Sequence, residues 1–312
     1  MTTIGTAFGS SVTERRPFGG VLVPALTPFK ADGSVDEAAF LDFCRWLLDQ
    51  GANGLAVFGT TSEANSLSLA ERMSLLEMLI DNKIPARTLM PGTGACSVPE
   101  AVQLTKAAIS AGAGGVLVLP PFYYKNVSED GVFAYYAEVI ERVGKGGLRL
   151  YLYHIPQMSG VAITPAIVAR LLAAYGPVIA GLKDSSGNWE NTERLLREFP
   201  DLAIFPGSES FLLAGLRAGG AGCISATANF QAGRIRKLID TPDGEARERL
   251  NERVGRVRAA FEKYPLIPGL KAATANRFGR EAWRIVRPPL RELAEGQRRE
   301  LTDALAALDE AD

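Results

Sequence analysis

Val178-Ile179-Ala180-Gly181-Leu182-Lys183-Asp184 is an apolar run that ends abruptly in an amine and a carboxylate. Runs of this kind recur along the chain. Arg149-Leu150-Tyr151-Leu152-Tyr153 leads into His154-Ile155-Pro156, and Gly54-Leu55-Ala56-Val57-Phe58 leads into Gly59-Thr60-Thr61-Ser62-Glu63. Residues 20–25, 88–91, 115–119, 203–205 and 222–225 complete a set of eight. They are near-continuously apolar rather than alternating, as expected of strands covered on both faces.

Helical patterns separate these runs. Phe40, Phe43, Cys44 and Leu47 keep the i, i+3, i+4, i+7 spacing of one helix face, and Val132, Tyr135, Tyr136 and Val139 do the same later. Helix starts are marked by Ser34 and Asp36, by Ser68 before Glu71, by Ser97-Val98-Pro99-Glu100 and by Thr164-Pro165. Eight strand–helix units predict an α/β chain folded as a parallel (β/α)8 TIM barrel. A doubly wound open sheet carries a phosphate-binding fingerprint after an early strand. Gly92-Thr93-Gly94 supplies its first two glycines, but Ser97 stands where the third belongs. The barrel is expected over residues 19–227, after an N-terminal arm (1–18) that contains Arg15 and Arg16. Helical segments at 234–239, 246–264, 266–277 and 288–308 make residues 228–312 a C-terminal helical extension.

Composition narrows the function. The 312 residues are 47% hydrophobic, ample for one large core, and 22% charged with a formal net charge of −1. No basic surplus points to nucleic acid or an anionic membrane as partner. No run of about 18 apolar residues suggests a membrane span. Cys44, Cys96 and Cys223 lie far apart without metal or redox spacing, so reduced thiols in a cytoplasmic protein are expected. With no secretory signal, Asn126-Val127-Ser128 reads as a chance glycosylation match. His154 is the single histidine, which disfavours a serine–histidine triad and leaves a zinc site short of ligands.

In a parallel barrel the C-terminal ends of the strands line the active mouth. Lys183 and Tyr153 end adjacent strands there. An uncharged lysine amine attacks a 2-oxo acid carbonyl and forms an imine, and the protonated imine draws electrons from a bond beta to it. A phenol donates and accepts protons. The Gly59–Glu63 turn offers adjacent amides and hydroxyls to a carboxylate. His154, one residue beyond Tyr153, is expected to point the other way and to be a hydrogen-bonded structural residue. The bland alternatives are a surface Lys183–Asp184 pair, a packed tyrosine, and a turn whose Thr, Ser and Glu act as helix caps. Pro120-Pro121-Phe122-Tyr123-Tyr124 is a stiff loop able to present a tyrosine outward.

Together these residues resemble the dihydrodipicolinate synthase / N-acetylneuraminate lyase superfamily of class I aldolases, over roughly residues 18–280. Gly59-Thr60-Thr61-Ser62-Glu63 is similar to its Gly-Thr/Ser-Thr-Gly-Glu pyruvate loop, with Ser62 in place of the second glycine. Tyr153-His154-Ile155-Pro156 is similar to its Tyr-Asn-Val/Ile-Pro, and Gly181-Leu182-Lys183-Asp184 to its Schiff-base motif. The segment from Gly222 through Ala226 to Asn229 resembles its eighth strand. The resemblance implies that Lys183 forms the imine, that Tyr153 shuttles protons, and that Thr60 and Thr61 hold the carboxylate, with Thr60 also relaying protons to Tyr153. It matches Tyr123 to a tyrosine lent across a dimer contact, which implies a homo-oligomer, usually a tetramer. No cofactor or metal is implied, since the imine is itself the electron sink.

Two departures bear on the substrate. Met158 stands where synthases carry an arginine, two residues after the motif proline, and a thioether cannot pair with a carboxylate. Gly207-Ser208-Glu209-Ser210 keeps one acid where neuraminate lyases show Asp-Glu. A 2-keto-3-deoxy sugar acid cleaved to pyruvate and an aldehyde is therefore the leading expectation, with Ser185, Ser208 and Glu209 as hydroxyl contacts. A dehydratase of such acids, a 4-hydroxy-tetrahydrodipicolinate synthase and a non-catalytic keto-acid sensor remain open.

Overall fold

A computed structural model describes residues 18–310. The arm expected over residues 1–18 lies outside them except for Phe18, which is buried in the barrel interior. The elements alternate as the sequence pattern predicts: β1 (Gly20–Val23), α1 (Glu37–Asp49), β2 (Gly54–Leu55), α2 (Leu69–Asp81), α3 (Val98–Ser110), β3 (Val116–Val118), α4 (Glu129–Val143) and β4 (Leu150–His154). Then come α5 (Pro165–Tyr175), β5 (Ile179–Asp184), α6 (Trp189–Glu198), β6 (Ala203–Pro206), α7 (Leu212–Arg217) and β7 (Gly222–Ile224). Four further helices follow: α8 (Ala228–Asp240), α9 (Glu245–Glu262), α10 (Leu266–Phe278) and α11 (Glu295–Glu310).

Of the helix starts the sequence marks, all but Ser34 are caps; Ser34 instead donates its hydroxyl to Asp32 Oδ1 at 2.6 Å in the preceding turn. Asp36 accepts from the Ala39 N–H at the start of α1, Ser68 and Glu71 form a reciprocal capping box on α2, and Ser97 and Thr164 cap α3 and α5.

The strands form two parallel ladders, β2-β1-β7 and β3-β4-β5-β6. Two seams join them. Ala221 N–H donates to Ile204 O at 2.9 Å, linking β6 to the start of β7. At the other seam, residues 89–92 run as an eighth stave. Met90 N–H donates to Leu55 O and Gly92 N–H to Val57 O on one side; Leu117 N–H donates to Pro91 O and Thr93 N–H to Leu117 O on the other. Here the structure departs from an expected regular strand at 88–91, because Pro91 has no N–H to give the ladder and only isolated bridges form. β2 is also shorter than its apolar run, because Phe58 turns left-handed at φ 59°.

Each strand points alternate residues inward and outward. Leu150 and Leu152 join the outer core under the helices, whereas Tyr151 and Tyr153 face the barrel interior with Leu22, Leu117, Phe205 and Ile224. Tyr151 fills the lower barrel, edge-on to Phe18 at 5.8 Å and tilted on Phe205 at 6.3 Å. Its ring needs Gly181 opposite: a Cβ there would lie 2.6 Å from the ring and closer still to Ala203 O. Outside, Tyr136 donates its hydroxyl to Val118 O at 3.0 Å and pins α4 to β3. α8 is tied to the end of β1 by Asn229, whose amide accepts from Leu26 N–H and donates to Pro24 O, both at 3.0 Å.

Gly181→Ala should overpack this layer and lower unfolding stability by about 1–3 kcal/mol, read from urea denaturation, whereas Ala180→Gly should not displace the Tyr151 ring.

Candidate active site

The register of the β4/β5 ladder sets the site. Tyr153 pairs with Lys183, and Lys183 in turn with Phe205 on β6. Side chains at one level of a parallel barrel converge on its axis, so amine and phenol meet. Lys183 Nζ donates to Tyr153 Oη at 3.2 Å and lies 4.2 Å from that ring's centroid. Tyr153 Oη is 3.3 Å from Thr60 Oγ1. Lys183 is 5% exposed and Tyr153 3%, yet both line an open cavity of about 540 Å³. Among the described residues no carboxylate pairs with Lys183. Asp184 is turned away, accepting from Ser186 N–H at 2.9 Å, Asn191 Nδ2 at 2.9 Å and Thr192 Oγ1 at 2.7 Å. The surface Lys183–Asp184 pair is thereby excluded.

The Gly59–Glu63 turn is bounded by two left-handed residues, Phe58 (φ 59°) and Glu63 (φ 57°). Such backbone is costly for bulky side chains and persists only where the surroundings impose it. The surroundings do. Thr27 Oγ1 donates to Ser62 O at 2.8 Å. Glu63, 4% exposed, is ion-paired with fully buried Lys271 of α10 and accepts from Arg287 N–H at 3.1 Å. Burial pulls the Lys271 amine down to about 8, with Glu63 opposing. Arg287 also clasps Glu71 through Nη2 at 2.5 Å, holding that carboxyl down at about 2, and reaches Ser66 O at 2.7 Å. Among the described residues the amides of Thr60, Thr61 and Ser62 have no hydrogen-bond partner. Thr60 and Thr61 line the cavity beside Lys183. Free amides and hydroxyls next to a buried amine suit a carboxylate attached to the carbon under attack.

Most of the residues singled out from sequence converge here: Lys183, Tyr153, Thr60, Thr61, Ser185, Ser208 and Ala226 line one cavity. Three do not. Gly59 borders a narrow crevice behind Thr60 and Tyr153. Glu209 lies beneath the wall, fully buried, accepting from the hydroxyls of Ser225 and Thr227. Tyr123 is 73% exposed, edge-on to Tyr124, and outside the cavity of its own chain. Ser208 does double duty, lining the cavity and capping the turn at Ser210 N–H. Close strand ends leave no room for a side chain at Gly207, where a Cβ would strike Ser185. Sequence reasoning missed Lys271 and the cavity-lining Arg258 and Glu262.

His154 is the hydrogen-bonded structural residue expected. Its Nδ1 accepts from Ile163 N–H at 3.0 Å. That requires an uncharged ring, and burial accordingly pulls its pKa below the usual value, with Asp184 opposing.

A family model, the "Dihydrodipicolinate synthetase family", matches residues 17–308. The chain belongs to that family. Its members are class I lyases that work through a lysine Schiff base, and this chain is an enzyme of that kind. Among curated relatives, an uncharacterized DapA-like lyase of Chloroflexus aurantiacus is 36% identical over 256 residues, 81% of this chain and 85% of its own. The solved dihydrodipicolinate synthase of Agrobacterium tumefaciens superposes with a TM-score of 0.87 at 36% identity, covering 93% of this chain and 99% of that one. YagE, a prophage protein of E. coli K12 solved in complex with pyruvate, superposes at 0.84 with 26% identity, covering 94% and 99%. The family match thus agrees with the ring of parallel strands, and among the described residues no helix is long and apolar enough to cross a membrane.

Because the folded ring resists protonation, the unfolded chain takes up the proton first. Stability from neutral His154 is whole above about pH 6.5 and is lost as pH falls from there through the lower folded value. His154→Asn, whose amide oxygen still accepts from Ile163, should show a shallower loss of melting temperature between about pH 7 and about pH 5.5 than the parent chain.

Proposed function

We propose that the chain is a pyruvate-releasing aldolase that cleaves a 2-keto-3-deoxy sugar acid into pyruvate and an aldehyde. The observation that carries this reading is the relay Lys183 Nζ–Tyr153 Oη–Thr60 Oγ1, at 3.2 and 3.3 Å, set beside the amides of Thr60, Thr61 and Ser62, which have no partner among the described residues. The substrate carboxylate rests on Thr60 and Thr61. Lys183 Nζ attacks C2; water leaves and a protonated imine forms. Tyr153 takes the proton of the C4 hydroxyl, the C3–C4 bond breaks, its electrons flow into the imine, and an aldehyde departs. The enamine carbon takes a proton back, and water releases pyruvate and the amine. Thr60 passes protons between Tyr153 and the cavity. No step needs a metal or organic cofactor.

Met158, 63% exposed at the cavity rim, offers no charge to the carboxylate of a semialdehyde co-substrate, which weighs against synthase activity. A dehydratase shares the imine and differs only in the bond aligned for cleavage. A sensor has no need of a buried amine hydrogen-bonded to a phenol. We further place the enzyme in the cytoplasm as a homo-oligomer whose contact covers the exposed Tyr123–Tyr124 pair and brings Tyr123 toward a neighbouring site.

Incubation with pyruvate and borohydride should add one pyruvyl group at Lys183, seen by intact mass and peptide mapping. Lys183→Ala should show none, and adduct elsewhere or nowhere would remove the basis for the reading. Tyr153→Phe should still trap pyruvate while turnover falls by about 10²–10⁴, with aldehyde and dehydrated product assayed separately. Tyr123→Glu should shift sedimentation toward smaller species; an unchanged profile would rule out that contact.

A further inference from the structure

Part of the cavity lining is supplied by the C-terminal helices. Arg258 and Glu262 of α9 belong to this wall, followed by Pro265, Leu266 and Ile267. Of the lining residues, Arg258 carries the one guanidinium and Lys183 the one amine. Arg258 is held rigidly and is only 12% exposed. Its Nε donates to Glu262 Oε1 at 2.7 Å and its Nη1 to Ser225 Oγ at 3.3 Å, with Glu209 Oε2 3.7 Å from Nη1.

One positive charge therefore faces two carboxylates. The wall has no surplus charge for a carboxylate, and bringing one there costs desolvation without a compensating partner. It does present a donor at Arg258 Nη2, which has no partner among the described residues, next to an acceptor on Glu262. A hydroxyl both donates and accepts, so a chain of neighbouring hydroxyls can use both groups at once. The guanidinium fork is planar and fixed, which gives the pair directional selectivity that a mobile ammonium lacks.

We infer that Arg258 and Glu262 read the hydroxylated end of the substrate, and that their mutual neutralisation makes the enzyme prefer an uncharged polyol aldehyde over one ending in a carboxylate. This rests on the aldolase reading above and adds its specificity determinant.

The test runs the reaction in the condensing direction, pyruvate with glyceraldehyde or with succinic semialdehyde, following kcat and the aldehyde KM separately. Borohydride trapping of pyruvate at Lys183 serves as the control for an intact site. The parent enzyme should favour glyceraldehyde. Arg258→Met should raise the glyceraldehyde KM so that kcat/KM falls about 10–100-fold, and Arg258→Lys, which keeps the charge beside Glu209, should fall between. Glu262→Gln leaves the guanidinium less neutralised and should move the preference toward succinic semialdehyde by about 10-fold. If Arg258→Met and Arg258→Lys condense glyceraldehyde within about twofold of the parent, or Glu262→Gln leaves the preference unmoved, the inference is overturned while the aldolase reading stands. A parent enzyme that traps pyruvate yet condenses neither aldehyde overturns both.

Discussion

Everything at the mouth of this barrel depends on one pairing of parallel strands, Tyr153 against Lys183. Strand side chains have a period of two, so a slip of one residue would send Leu182 or Leu152 inward and turn the amine or the phenol into the helix layer. The apolar runs prevent that. Leu150, Leu152 and Leu182 belong to the outer core, and moving any of them inward would expose it to the polar mouth while burying a polar group among helices. Two residues below, Tyr151 faces Gly181, and the large ring against a vacant side chain closes the barrel floor. The amine thus has the packed Tyr151 layer beneath it and the cavity in front.

Around this pair the enzyme uses strain and charge to fix a short turn. Phe58 and Glu63 hold left-handed backbone at its two ends, a costly conformation for residues that carry a Cβ. The compensating contact is the buried Glu63–Lys271 ion pair, supported by the cation over Phe29 and by Lys271 donating to Ile285 O at 2.7 Å. Removing one partner of such a pair leaves an uncompensated buried charge, a cost of about 3–5 kcal/mol. The pair therefore fixes where the Glu63 side chain must lie, and with it the left-handed backbone at that end of the turn.

Much of this was legible in the chain itself. Apolar runs that stop at Lys183, Tyr153 and the Gly59–Glu63 turn announce which groups share a rim, because a parallel barrel puts all strand ends on one side. The caps at Asp36, Ser68, Ser97 and Thr164 were legible because capping is local. What escaped is long-range. Arg258 and Glu262 are an i, i+4 pair on a highly charged helix, indistinguishable in sequence from a solvated face. Lys271 sits in Leu270-Lys271-Ala272-Ala273, where nothing nearby reveals a partner more than two hundred residues earlier. Glu209 next to Ser208 looked equally able to reach substrate, yet the short turn there sends its carboxylate down to Ser225 and Thr227. The stave at 89–92 was recognisable as extended chain, but its proline limits it to bridges.

The ion pair between the β2 turn and α10 also has a bearing on how such enzymes are recombined. A barrel separated from its last helices would keep every residue of the relay and still lose the counter-charge that shapes the carboxylate cradle. Tail and turn therefore behave as one heritable module: in any chimera made between relatives, Glu63 and Lys271 must come from the same parent or be replaced together.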